Sequence, residues 1–198
     1  DRFAQARRDG FDHVELCYLD ELDIDEVRRA LEDAGQTLLS FNFPPGPMVP
    51  GVSRGLSALP GREREFHDLV TRCIEWAQAL GAAHALFPLT GLRPADEPLD
   101  SCEATLIANL RSTLPRLEAV GLTLLIEPHC SKDFPGYILD HMDQARRIVD
   151  EVDSPRIRIL LDTYHTQRME GDLTGQLKRH LAMIAHIQVG NPPGGHEP

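Results

Sequence analysis

No Cys-x-x-Cys pair occurs anywhere in this chain, and its four cysteines, Cys17, Cys73, Cys102 and Cys130, lie far apart. That spacing argues against a zinc ribbon or a disulfide-stapled secreted scaffold and fits reduced thiols in a cytoplasmic protein. Apolar runs of the roughly 20 residues a membrane helix requires are missing. The opening DRFAQARRDG is charged and amphipathic, unlike a secretory leader. Basic clusters are missing too: at a net charge of −11, nothing offers the Lys/Arg block that grips a phosphate backbone. Neither a nucleic-acid partner nor a membrane partner is expected. No strand candidate runs into a Gly-x-Gly-x-x-Gly turn, which weakens a dinucleotide site. A starting Met is absent, and the 198 residues are expected to be part of a longer polypeptide.

What is present is an ordinary globular balance, 41% hydrophobic and 26% charged, in one domain-sized chain over 1–198. The hydrophobic period switches repeatedly between helix and strand. FAQARR, stopped at Gly10, precedes strand FDHVELCY. DIDEVRRALEDAG, with Asp23 and Glu26 spaced as a capping box and Gly35 as terminator, precedes TLLSFNF. A Pro/Gly-rich loop from Pro44 to about Gly61 leads into a long helix beginning REREFHDLV and then strand AHALFPL. A helix from about Asp100 to Val120, boxed by Asp100 and Glu103, leads to LTLLIEP. DQARRIVDEV leads to IRILLDTY, after which a polar loop holding Gly171 and Asp172 precedes helix LTGQLKRHLAMI and strand AHIQVG. Six strands alternating with helices predict a parallel α/β architecture. The expected fold is a (β/α)8 TIM barrel, incomplete in this chain, with about six of eight strands.

Three successive strand candidates end on an oxygen donor: Glu127, Asp162 and Gln188. The carboxyl end of barrel strands is where such folds place chemistry. A single acid there is commonly a helix N-cap or a solvated loop residue. Two acids in matching contexts, each followed within three residues by His129 or His165, are less easily explained that way. Carboxylates crowded in a poorly hydrated place repel and take up protons, and a divalent cation relieves the conflict. An all-oxygen set favours Mg²⁺ or Mn²⁺ over zinc. His186 reads as a satisfied core histidine and His129 as a cap or cover; spacing alone does not decide the role of His165.

The ordered set GLSALPGRE (Gly55 to Glu63), IEP, FPGY (Phe134 to Tyr137), DTYHTQRMEGDLT, HIQV and the terminal HEP resembles hydroxypyruvate isomerases, within the xylose-isomerase-like TIM barrels. The resemblance implies a metal-assisted isomerase interconverting hydroxypyruvate and 2-hydroxy-3-oxopropanoate through an enediolate. It implies Glu127, Asp162 and Gln188 as metal ligands, Glu127 also as a proton-transfer group, and His165 and His196 on the substrate side. The partner implied is a small hydroxy-oxo acid; a homo-oligomer is left open. A 2-oxo-tetronate isomerase, a ketose 3-epimerase and a non-catalytic metal or sugar-acid binder are the alternatives. A second glutamate belongs to a later strand than these residues reach, so the segment by itself is expected to turn over little substrate. Gly195 stands where the resemblance places an arginine that helps bind the anionic substrate.

Overall fold

In the computed structural model, residues 2–17, 19, 22–44, 54–82 and 85–195 are described, with 85–87 by backbone alone. The order is α1 (Arg2–Arg8), β1 (His13–Leu16), α2 (Ile24–Ala34), β2 (Thr37–Asn42), α3 (Glu63–Leu80), β3 (Ala85–Phe87), α4 (Leu99–Val120), β4 (Thr123–Ile126), α5 (Met142–Val152), β5 (Ile157–Asp162), α6 (Thr163–Met169), α7 (Leu173–His180) and β6 (Ile184–Gln188). The six strands form one sheet in sequential order, each parallel to the next. Every connection therefore crosses over through helical chain, as parallel pairing requires. β1 and β6 share no backbone ladder, yet Glu15 on β1 bonds to His186 and Gln188 on β6. The sheet curls until its first and last strands face one another across the interior.

Local chemistry accounts for most boundaries. Asp23 caps α2 by accepting the Asp25 and Glu26 N–H groups at 2.9 and 3.1 Å. Gly35 closes the helix at φ +63°, a conformation that costs an L-residue about 1–2 kcal/mol. α3 buries Phe66, Leu69, Val70, Cys73, Ile74, Ala77 and Leu80 at helical spacing against the sheet. The last three residues of β4, Leu124 to Ile126, are fully buried, as befits a parallel strand covered on both faces.

Two expectations change. α4 starts at Leu99 behind Pro98 and has no side-chain cap; Glu103 reaches instead to Gln144 (2.7 Å) and Arg147 (3.0 Å) on α5. An interhelical ion pair thus takes the glutamate that a capping box would use. After β5 there is no immediate polar loop but the short helix α6, which Asp162 caps. The apolar period over seven residues is too short to announce it.

The segment GLSALPGRE makes a strap across the carboxyl end of β3. Gly55 pairs antiparallel with Thr90, and Ser57 and Ala58 donate to the Leu89 and Thr90 carbonyls. A Cβ on Gly55 would stand 2.1 Å from the Leu89 carbonyl oxygen, and its φ is +107°. Gly55→Ala is expected to cost about 3 kcal/mol from backbone clash and strain together. Gly81→Ala, at φ +61° with nothing within 4 Å, should cost only about 1 kcal/mol. Thermal unfolding of the two variants checks the contrast.

Candidate active site at the carboxyl ends of the strands

Glu127 follows the last residue of β4 and is 5% exposed. His129 Nε2 lies 2.9 Å from its Oε2. A carboxylate only accepts, so Nε2 carries the proton; Nδ1, buried, has no hydrogen-bond partner among the described residues. The His129 ring is clamped between Tyr137 (centroids 4.7 Å, 27°) and His165 (4.5 Å, 22°). The Tyr137 hydroxyl in turn accepts the Thr90 N–H at 3.2 Å, tying the clamp to the strap.

Asp162 ends β5 and starts α6. Its Oδ1 accepts the Tyr164 and His165 N–H groups at 2.7 and 3.1 Å. Burial pushes its carboxyl above the usual range, and the negative charge of Glu127 adds to that rise against the opposing help of His165 and the two N–H groups. His165 Nδ1 accepts the Cys130 N–H at 3.2 Å, so in the neutral ring Nε2–H is the free face, 3.9 Å from Glu127 Oε1. Burial, followed by the neighbouring His129, holds the His165 imidazole below its ordinary pKa. The ring is kept neutral and presents an N–H.

Gln188 is the register partner of Asp162 across β5 and β6. Its Nε2 donates to Glu15 Oε2 at 2.7 Å, and His186 bonds the other Glu15 oxygen. Burial raises the Glu15 carboxyl, but the bonds from His186 and Gln188 outweigh it and bring it below its usual value. The same bond raises His186. His186 is thus satisfied, as its place on the strand suggested. Glu15, Asp162, His165, Gln188, Phe134 and Tyr164 line a cavity of about 760 Å³ that Gly195 also borders. On its wall Tyr164 donates to Asp133 (2.8 Å), and Arg168 holds both Tyr164 (2.7 Å) and Asp133 (2.8 Å).

Of the residues singled out from sequence, Asp162, Gln188 and His165 meet at the cavity, with Glu127 against His165 just beneath it. His196 lies outside the described residues. Gly195 sits at φ +70°, a conformation in which an arginine would be strained. Sequence reasoning passed over Glu15 and underrated His129. Glu15 carried the same signal as the others, an acid near the end of an apolar strand, but from a strand remote in sequence.

A divalent cation fits these residues. Glu127 is buried, its charge helps raise the half-buried Asp162 carboxyl, the neighbouring His165 imidazole is held below its ordinary pKa, and the Gln188 amide lines the same cavity as Asp162. The ligand atoms of Glu127, His129 and His165 also lie within 4.8 Å of one another, a His/His/Glu set of the kind zinc takes. His165 Nε2, however, bears the proton in the neutral ring. The two imidazoles are stacked nearly parallel, so their in-plane lone pairs do not converge on one ion.

A parallel α/β sheet with acids grouped at its carboxyl edge is the arrangement of a TIM-barrel enzyme. The model of the family described as "Xylose isomerase-like TIM barrel" matches residues 3–198, and the chain belongs to that family. It is 40% identical to the 2-oxo-tetronate isomerase of Cupriavidus necator, over all of this chain and 75% of that protein. It is 36% identical to the hydroxypyruvate isomerase of Escherichia coli, over all of this chain and 76% of that one. Among solved structures, an AP endonuclease, family 2, from Brucella melitensis superposes with a TM-score of 0.94 at 35% identity, over all of this chain and 75% of that chain. No helix among the described residues is long and apolar enough to cross a membrane.

Asp162 yields a test of the buried charge. Its folded pKa is raised, so folding favours the protonated acid. That contribution is complete below the unfolded pKa and is lost as pH rises through the raised folded value. Near pH 7, without metal, the carboxylate is therefore a net cost to stability. Asp162→Asn keeps a competent N-cap and should raise the metal-free Tm at pH 7 by about 2 °C. The gain should vanish at acid pH, which scanning calorimetry at two pH values will show.

Proposed function

We propose that this protein is a divalent-metal-assisted isomerase of small hydroxy-oxo acids, shifting the carbonyl between adjacent carbons, with hydroxypyruvate and 2-oxo-tetronate as the substrates to test. The observation that carries this reading is the pair of carboxylates, Glu127 buried and Asp162 half-buried, at the ends of neighbouring strands, with the Gln188 amide in register with Asp162. The curated relatives support it by their names, and the four scattered cysteines suit a cytoplasmic setting.

Glu127, Asp162 and Gln188 would hold the ion. What Mg²⁺ or Mn²⁺ supplies there is positive charge against the substrate oxygens that become negative when a carbon-bound proton leaves. Glu127 is suited to take that proton at Oε1, because the His129 N–H occupies Oε2 and fixes the carboxylate plane. His165, neutral and fixed by the Cys130 N–H, offers Nε2–H to a substrate oxygen. The cavity is polar along this side and large enough for a three- or four-carbon acid. A DNA substrate is disfavoured: the chain carries a charge of −11, and only two histidines, His129 and His165, group with Glu127 among the described residues.

Glu127→Gln in the full-length protein should reduce isomerisation by about 10²–10⁴-fold, the usual worth of a positioned base. Mn²⁺ or Mg²⁺ should support the wild type better than Zn²⁺. A coupled assay with both acids, run with each metal, checks the base, the ion and the substrate. Near-normal conversion by the variant would remove Glu127 from the role.

A further inference from the structure

Glu15 lies 173 residues from Gln188 in sequence, on the opposite edge of the sheet, and accepts its amide N–H at 2.7 Å. An amide presents nearly identical outlines with its nitrogen or its oxygen forward, and only its hydrogen-bond partners decide between them. A carboxylate can accept but not donate, so it admits the nitrogen alone. With Nε2 committed to Glu15, the Gln188 oxygen is the group left for the cavity that both residues line. His186 holds the other Glu15 oxygen, so the carboxylate is bonded on both sides and does not swing. β1 and β6 are not joined by backbone bonds, so this side-chain bridge links the two edges at the site.

We propose that Glu15 is a positioning residue that fixes the Gln188 amide with its oxygen toward the metal and substrate, a role that rests on the function inferred above. It acts through Gln188, its own two oxygens being taken by His186 and Gln188. Partners of this kind typically contribute 10–100-fold to metal affinity. Glutamine serves as a metal ligand only while its oxygen faces the ion. Glu15 is the device that makes an otherwise ambiguous amide a dependable oxygen donor.

The test is Mn²⁺ binding to the full-length protein, followed by electron paramagnetic resonance of free Mn²⁺, with thermal unfolding measured alongside. Glu15→Ala should weaken Mn²⁺ about 10–100-fold. Q188A should weaken it as well, and the E15A/Q188A double variant should bind no worse than Q188A alone, because Glu15 acts through that amide. E15Q, which preserves shape but can also donate and so lets the amide turn over, should lose at least about fivefold by the same logic, with the Tm near that of the wild type. It serves as the decisive variant should E15A unfold. Mn²⁺ affinity of E15Q within twofold of wild type, or losses that add in the double variant, would overturn the proposal while leaving the metal-assisted reading intact. A wild-type protein that binds no Mn²⁺ and converts neither acid would overturn that reading and this role with it.

Discussion

Two carboxylates, Glu127 buried and Asp162 half-buried, placed within reach of each other's charge are the constraint around which this half of the molecule is organised. An unpaired buried carboxylate has only a few remedies: a proton, a cation, or fixed N–H donors. Glu127 receives the His129 N–H, and Asp162 receives two backbone N–H groups from the first turn of α6. These donors orient the oxygens but do not cancel two charges, and the Asp162 carboxyl still lies above its ordinary range. His165 does not readily supply the missing charge, since burial holds its imidazole below the ordinary pKa. The residual negative potential is the feature on which the proposed divalent-cation site rests.

Rigidity at this point is inherited from segments far from the acids. The strap through Gly55 fixes Leu89 and Thr90; the Thr90 N–H meets Tyr137; Tyr137 stacks on His129; and His129 holds Glu127. Asn109 on α4 extends the chain outward by donating to the Ser57 carbonyl at 2.9 Å. GLSALPGRE and Tyr137 of FPGY are therefore supporting parts that hold Glu127 in place, while Phe134 of FPGY lines the cavity itself. A loss of ring packing at Tyr137 would be felt at Glu127 without touching it.

The sheet and its helices were legible because each element declares its own period: TLLSFN and IRILLD read as strands, and the long α3 stripe reads as a helix, from neighbours alone. The meeting of Glu127, Asp162 and Gln188 at one edge followed from strand order, since consecutive parallel strands must be adjacent here. What depended on partners remote in sequence was not legible. Glu103 could be an N-cap or half of an interhelical pair, and only the packing of α4 on α5 decides. Glu15 gave no hint that β1 would curl round to face β6. α6 was hidden because a seven-residue helix contributes too few apolar positions to show a period, although Asp162 was already recognisable as a residue type that starts one.

Asp162 also shows where local stability gives way to function. As an N-cap, Asn or Ser would serve the two N–H groups of α6 about as well as Asp. Neither would bring a second negative charge next to Glu127, and neither would meet the electrostatic penalty that the raised Asp162 pKa records. One oxygen of this residue suffices for the helix. The other, together with the charge, is superfluous for folding and unfavourable in the metal-free protein. A residue that is costlier than its structural task requires, lining a cavity and in register with an amide held by Glu15, is explained by the task of the cavity and not by that of the helix.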